Sequence, residues 1–211
     1  KAIIFDLGLS SFQLNDQTRA FSFDSENVLD MEMGLNKRSA YEVINTLDKK
    51  HLTAIIKILG EEKDGRKIAN KIDLCRKKEP IKTSKELASI VNSIKNRHKN
   101  YKKNPATKTF QAIRMFVNQE LSELILGLIR ATKLLKDGGI LVLVSFHSLE
   151  DKIIKNFFSL YSSFKSNPSR YIPLNEKKVN LFKSISKKAL KPNEKEINEN
   201  NPSRSAKLRY G

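Results

Sequence analysis

Two short apolar runs constrain the fold of this chain most. A predicted long helix and a glycine turn directly precede the second run, so the order is strand, helix, strand. Residues 2–5 are AIIF and are followed by Asp6, and residues 140–144 are ILVLV. An apolar stripe predicts one long helix over 110–135, and the turn DGG at 137–139 follows it. A strand, a crossover helix and a second strand form a parallel unit. The pattern predicts an α/β parallel sheet in which 2–5 is a buried central strand and 140–144 is buried on both faces.

Helical patterns without strand patterns fill residues 39–96. Capping-box sequences begin at Ser39 and Thr83, where a glutamate follows three positions later in each case. Apolar residues recur at helical spacing through 51–59 and 87–94. We expect several short helices here, preceded by a long ordered loop.

The helical stretch interrupts the crossover and therefore predicts an insertion. We expect an α/β domain formed by 1–23 and 109–211, with an inserted all-helical domain at 24–108. Ser148 is predicted to cap a further helix that runs to about Leu160. Two closing strands are predicted at 179–185 and 205–210, the last at an edge of the sheet.

Basic residues exceed acidic ones by 40 to 23, which gives a formal charge of +17. The excess is regional: 63–108 holds fifteen basic and four acidic residues, and 165–211 holds twelve and four. Such regions favour a polyanionic partner such as RNA, because contacts with phosphates release counterions. The alternative is that the lysine-rich composition reflects only an AT-biased genome.

Several function classes lack their usual signals. The one cysteine, Cys75, forms no internal disulfide, and three scattered histidines make no metal set. No apolar run approaches the ~20 residues of a membrane span, and the first run is too short for a signal peptide. Neither a G-x-S-x-G elbow nor a phosphate-binding P-loop is present. A reducing cytoplasm fits this chain best.

Polar residues at the strand ends are the candidate site. Ligands of open parallel sheets bind beyond the carboxyl ends of the strands. Asp6 follows the first predicted strand, and Ser145 and His147 follow the second. The alternatives are a helix cap or turn carboxylate for Asp6 and a packed or solvated side chain for His147.

Blocks along the whole chain resemble the RsmH (MraW) family, in order and at matching spacing. They are FDLGLSSFQL at 5–14, RAFSF at 19–23, LDMEM at 29–33, NPATKTFQAIR at 104–114, VNQEL at 117–121, VSFHSLED at 144–151 and NPSRSAKLR at 201–209.

The resemblance implies an S-adenosyl-L-methionine-dependent methyltransferase that modifies the exocyclic N4 of a cytosine in 16S ribosomal RNA, alone or in the small ribosomal subunit. It also implies a class I (Rossmann-like) methyltransferase sheet with an inserted helical domain for substrate recognition. Family positions that contact the methyl donor correspond to Asp6 and Gln13. The family's Gly-Gly-His donor loop and acidic ribose-binding residue would precede Lys1, so we expect an N-terminally truncated chain that by itself binds the donor weakly and is inactive.

Five positions depart from the family pattern. The family usually has Pro, Gly, Arg, His and Arg where this chain has Phe12, Ala20, Glu32, Asn104 and Lys108, respectively. Glu32 reverses a charge in a predicted substrate-side loop.

Substrate-binding residues are predicted near that loop. Phe21 and Phe23 would hold an unstacked base between them, or alternatively pin the loop to the core. Arg114 and Asn118 lie one turn apart on the predicted long helix and would face the cleft.

Methyl transfer to an aromatic amine is an in-line displacement that needs no metal, and accepting the amine's N–H hydrogen bonds favours it. Asp6 would bind the donor's ammonium or accept such a bond. The candidates for the catalytic role are Asp6, Ser145 and His147.

Two rival functions remain at this point. The first is a non-catalytic basic RNA-binding protein with an incomplete methyltransferase fold. The second is another nucleotide-using α/β enzyme, such as a dehydrogenase, in which the SFHS block at 145–148 has no place.

Overall fold

A computed structural model describes residues 1–10, 12–13, 16, 19–34, 38–95, 104–162, 180–183 and 185–211. The chain divides into two compact units. The sheet unit consists of Lys1–Gly8 and Leu121–Gly211, and the helical unit is Leu9–Glu120.

The sheet unit contains a three-stranded sheet in the order β1-β2-β3. β1 is Ala2–Asp6, β2 is Ile140–Ser145 and β3 is Lys207–Tyr210. β1 and β2 are parallel, with Asp6 opposite Val144, and β2 and β3 are antiparallel. The predicted parallel crossover and the closing edge strand are confirmed.

Only one face of this sheet is covered within the described residues. Leu141 and Leu143 are fully buried there, whereas Ile140 is 50% and Ile4 is 69% exposed. Two predictions were therefore wrong among the described residues: β2 is not buried on both faces, and β1 is not a buried central strand. Apolar β2 side chains alternate between a packed and an open face, and β1 lies at one edge of the three strands.

Two helices of the sheet unit supply the packed face. They are Glu120–Leu134, which begins one residue before the unit boundary, and Ser148–Leu160. Their buried side chains pack with Leu141 and Leu143 in one apolar cluster; they are Leu124, Leu128, Ala131, Ile154 and Phe158.

The helical unit is built on five helices in the described residues. In chain order they are α1, Ala40–Thr46; α2, Lys49–Ile58; α3, Gly65–Arg76; α4, Ser84–Ile94; and α5, Thr107–Val117. The Glu120–Leu134 helix is α6 and the Ser148–Leu160 helix is α7. The predicted caps hold: Ser39 accepts from the Glu42 amide, and Thr83 forms a full capping box with Glu86.

The predicted single helix over 110–135 is wrong, because α5 and α6 are separate. Asn118 ends α5, and Gln119 has a φ of +50°, which a right-handed helix cannot contain. No Gly or Pro marks this break, and the apolar spacing continues across it, so the pattern did not reveal it.

The unit boundaries also differ from those drawn on the sequence. Ala20 and Phe21 belong to the helical unit, since the buried Ser84 hydroxyl donates to the Ala20 carbonyl (2.8 Å) and Phe21 packs in the helical core. α5 belongs there as well, through Phe110 and Ile113. These contacts join residues far apart in sequence, which composition does not reveal.

The C-terminal segment returns to the sheet through short elements. Helix α8, Glu194–Glu199, precedes a 3₁₀ turn at Asn201–Ser205 and then β3. Of the strand predicted at 179–185, residues 179 and 184 lie outside the described residues. The remainder forms one isolated bridge, between Phe182 and Ser162, rather than a strand.

Candidate active site

The carboxyl ends of β1 and β2 meet at one rim of the sheet. The Leu7 amide continues the parallel ladder by donating to the Val144 carbonyl (3.0 Å). Asp6 is exposed. The next turn passes through Gly8, whose φ is +102° and whose missing Cβ would lie 3.8 Å from the Phe146 ring. The polar ends of the two strands are thus adjacent, as predicted.

His147 has a defined structural task at this rim. It is the N-cap of α7, and its Nδ1 accepts from the Leu149 amide (3.3 Å). The buried Glu150 carboxylate in turn accepts from the amides of Phe146 and His147 (3.2 and 3.1 Å). Ser148 was predicted to cap this helix, but the capping residue is His147. An Nδ1 that accepts leaves the proton of the neutral imidazole on Nε2.

Ser145 is the least accessible of the three catalytic candidates. Its side chain is fully buried, and its hydroxyl donates to the Lys207 carbonyl of β3 (3.4 Å). This hydroxyl therefore supports the β2–β3 pairing.

A buried ion pair joins α7 to β3 behind the rim. The Asp151 carboxylate accepts from Arg209 Nε (2.6 Å) and Lys207 Nζ (3.1 Å). Burial opposes the charge of Asp151, but the hydrogen bonds from Arg209 and Lys207 outweigh it and hold the pKa of this carboxyl below its usual value.

The helical unit contains a separate cavity of about 240 Å³, which we call the loop pocket. Its size suits one small ring system better than a drug-sized ligand. Phe23 packs edge to face on Phe110, with ring centroids 4.9 Å apart. Phe21 is only 7% exposed, so it both pins the loop and forms part of the wall. The lining residues are Leu9, Phe21, Phe23, Met31, Thr107, Phe110, Gln111 and Arg114.

Arg114 lines the loop pocket but is already paired. Its Nε and Nη2 donate to the two carboxylate oxygens of Glu120 at 2.7 and 2.8 Å. Such a bidentate pair fixes the guanidinium plane. Arg114 therefore presents an oriented, partly neutralised cation.

Asn118 holds the loop in place. Its Oδ1 accepts from the Met33 amide (2.8 Å), and its Nδ2 donates to the carbonyls of Met31 (2.8 Å) and Arg114 (2.9 Å). It is 8% exposed, so its amide serves the loop backbone rather than an open cleft.

The same loop carries backbone strain and an acidic pair. Ala20, where the resembling family usually has Gly, has a φ of +56°, and Met31 has +59°. Burial, then the charges of Asp30 and Glu42, raise the pKa of Glu32. Burial also raises the pKa of Asp30, with the Arg19 charge as a partial offset. The charge reversal at Glu32 thus places a second carboxyl beside Asp30, and the two together account for part of the raised pKa of Glu32.

Gln13 lies in the helical unit, whereas Asp6 lies in the sheet unit. The Gln13 Oε1 accepts from the Ser10 amide (3.1 Å), which fixes the turn after β1.

Within the described ranges no group of three or more His, Cys, Asp or Glu side chains is arranged to hold a metal ion. The helices described are also all too short or too polar to cross a bilayer.

The parallel strand pair and the helices packed on it define an α/β protein, and the ligands of open α/β sheets bind at the rim where the polar strand ends lie. The chain belongs to the MraW methylase family, whose model matches residues 1–211.

Curated relatives agree with this assignment. The chain is 46% identical over 209 residues to the "Ribosomal RNA small subunit methyltransferase H" of Ehrlichia chaffeensis, covering 98% of this chain and 67% of the relative. It is 48% identical over 209 residues to the protein of that name from Ehrlichia canis, with the same coverage. The protein of that name from Hyphomonas neptunium is 43% identical over 208 residues, which are 98% of this chain and 61% of the relative. The chain thus spans about 61 to 67% of the length of these relatives.

Proposed function

We propose that the protein transfers a methyl group from S-adenosyl-L-methionine to the exocyclic N4 of a cytosine in 16S ribosomal RNA, in the cytoplasm, with free RNA or the small ribosomal subunit as partner. The observation that carries the proposal is the parallel pairing of β1 and β2 in a methylase-family chain, which brings the Asp6 and His147 ends to one rim. The sheet unit would bind the methyl donor. The helical insertion, predicted from the sequence at 24–108, would recognise the substrate.

The donor side rests on Asp6. Its carboxylate is exposed at a strand end and makes no hydrogen bond or ion pair within the described residues. A free carboxylate beside a glycine turn fits the amino group of a methionine-derived donor, because charge-assisted hydrogen bonds are the stronger ones. The bound donor would supply an electrophilic methyl group on a sulfonium. Gln13, by fixing the turn at Ser10, would support this segment.

The acceptor side rests on the loop pocket. A cytosine must leave its stack to reach an enzyme pocket, at a cost of a few kcal/mol, and stacking on aromatic side chains offsets about 1–3 kcal/mol. Phe21, Phe23 and Phe110 offer ring surfaces at this cavity. Arg114, held by Glu120, would lie against the base or a neighbouring phosphate, and Asn118 would keep the loop in the shape that forms the wall.

Asp6→Asn is expected to lower donor affinity by about 10- to 100-fold, because a hydrogen bond to a charged group contributes about 1.5–3 kcal/mol. The measurement is calorimetric titration with S-adenosyl-L-methionine, followed by tritium transfer to small ribosomal subunits. Both are carried out on the 211-residue chain and on a version extended to the length of its relatives, since the chain spans about 61 to 67% of that length.

Asp137→Asn is the matched control, because Asp137 is an exposed aspartate in the turn before β2. An Asp6→Asn protein that binds the donor as tightly as the unchanged protein would contradict the assigned role. Retained RNA binding without any donor binding in the extended version would favour the non-catalytic RNA-binding alternative.

The basic stretch at 63–108 would contact the RNA backbone. Some of its cations are used internally: Lys95 pairs with Glu62 (2.7 Å) and Asp64 (3.2 Å), and Lys108 donates to the Glu61 carbonyl. Four exposed cations make neither an ion pair nor a side-chain hydrogen bond in the described part of the chain; they are Lys63, Arg66, Lys71 and Lys78.

Replacing these four cations by Gln is expected to weaken RNA binding and flatten its salt dependence, because each lost phosphate contact removes about 0.7 from the slope for single strands. The measurement is the dissociation constant for a 16S fragment at several salt concentrations. Replacing Lys49, Lys50 and Lys57, exposed on α2 of the same unit, is the control. An unchanged slope in the fourfold variant would contradict the contact.

A further inference from the structure

Three polar residues form a row on one face of α5, where they line the loop pocket. Thr107, Gln111 and Arg114 follow each other at spacings of four and three residues, which places them on the same side of the helix. The rest of the wall is apolar or aromatic. Among the described residues, any recognition by a polar side chain inside this cavity therefore comes from this row.

Of the three, Gln111 alone has a side chain without a hydrogen-bond partner in the described part of the chain. The Thr107 hydroxyl donates to the Asn104 carbonyl (2.6 Å), and Arg114 is bound to Glu120 through two nitrogens. The Gln111 carboxamide is half-buried and has no hydrogen-bond partner among the residues that the structure describes. A partly desolvated amide of this kind gains most from a ligand that supplies both an acceptor and a donor.

Cytosine supplies that pair of groups. Its Watson–Crick edge carries the N4 amine, a donor, beside N3, an acceptor, and a carboxamide has an acceptor and a donor at matching spacing. Gln binds adenine N6 and N7 through the same complementarity. We propose that Gln111 is a specificity-determining residue that accepts from the cytosine N4–H through Oε1 and donates to N3 through Nε2.

This assignment rests on the proposed function and deepens it. The hydrogen bond to Oε1 would use one N–H of the amine and fix the orientation of the nitrogen that receives the methyl group. Phe23 and Phe110 would hold the ring, and Gln111 would hold its edge. Asp6, Ser145 and His147 are then not required as acceptors for the amine.

Binding of modified RNAs tests the contact directly. The probes are three unstructured ten-nucleotide RNAs that differ at one central position, which carries cytidine, 3-deazacytidine or an abasic sugar. Because 3-deazacytidine lacks the N3 acceptor, we expect the unchanged protein to bind it about 2- to 12-fold more weakly than cytidine. Gln111→Met is expected to bind the cytidine and 3-deazacytidine RNAs with equal, reduced affinity. The hydrogen bond between Gln111 and N3 is already absent in this variant, so removing N3 has no further effect.

Gln119→Met is the matched control, because Gln119 is exposed and does not line the loop pocket; it should keep the full preference for cytidine. An unchanged protein that does not distinguish cytidine from 3-deazacytidine overturns the assignment, and so does a Gln111→Met protein that keeps the preference. Phe23→Ala distinguishes failure of the base pocket from failure of the role assigned to Gln111. If it reduces the preference for cytidine over the abasic RNA while Gln111→Met changes nothing, the base pocket stands and only the role of Gln111 fails.

Discussion

Asp151→Ala is expected to destabilise the sheet unit by about 3–5 kcal/mol, because it leaves the guanidinium of Arg209 buried without its counter-charge. Arg209 is 7% exposed, and Asp151 accepts from both Arg209 and Lys207. The measurement is hydrogen exchange of the β2 and β3 amides, together with urea unfolding. The amides of the helical unit serve as an internal reference, since the two units need not unfold together.

Two further variants test whether the unpaired charge of Arg209 causes the expected loss of stability. Lys152→Ala, at the exposed neighbouring position of α7, is expected to change stability by less than about 0.5 kcal/mol. Asp151→Leu combined with Arg209→Met removes both charges and is expected to be much less destabilising than Asp151→Ala alone. Equal losses in the single and double variants would contradict a role for the unpaired charge.

The contribution of Asp151 also depends on pH. Its pKa is lower in the folded than in the unfolded protein, so its stabilisation is present above the ordinary value of 3.8 and is lost as the pH falls below it. The stability difference between the unchanged protein and Asp151→Ala should therefore be constant near pH 7 and shrink below about pH 4. A difference that grows on acidification would contradict the assignment.

Asn118→Ala is expected to cost about 2–4 kcal/mol and to open the loop pocket, because it removes three hydrogen bonds and leaves buried backbone groups of Met31 and Met33 without partners. The Met33 amide reports the change directly, since its protection from hydrogen exchange depends on Asn118 Oδ1. RNA binding should weaken in parallel, because Met31 lines the pocket.

Asn118→Asp separates the two halves of this interaction. The carboxylate keeps an acceptor for the Met33 amide but loses the donor to the Met31 carbonyl, so an intermediate loss is expected. Asn92→Ala, on the exposed surface of α4, is the control. Unchanged protection of the Met33 amide in Asn118→Ala would rule out the proposed support of the loop.

Local signals predicted the elements well. The serine and threonine caps at positions 39 and 83 start helices because their side chains satisfy free backbone amides near their own positions. The cap of α7 was misplaced by one residue, since histidine is not among the preferred capping residues and His147 acts with Glu150. The break at Gln119 escaped prediction because helical spacing of apolar residues continues on both sides of it.

The availability of each polar side chain could not be predicted. Arg114 and Asn118 were expected to face the substrate, yet one pairs with Glu120 and the other binds a loop 85 residues away. Gln111 was not predicted as a site residue, although it lies in the family block at 104–114. Its position directly after Phe110 was the sequence feature that could have indicated it. For Phe21 and Phe23, packing against the helical core is confirmed and both rings also line the loop pocket, so stacking on a base stays a prediction.

The sequence by itself determined the parallel crossover, the capped helices and the family of this chain, because these depend on neighbouring residues and on the order of motifs. Only the tertiary structure decided that Asp6 is exposed at the rim, that Ser145 is buried, and that Gln111 keeps a free carboxamide in an aromatic cavity. The physical reason is that a polar group's chemistry depends on its partners and its desolvation, and in the folded chain those are set by residues distant in sequence.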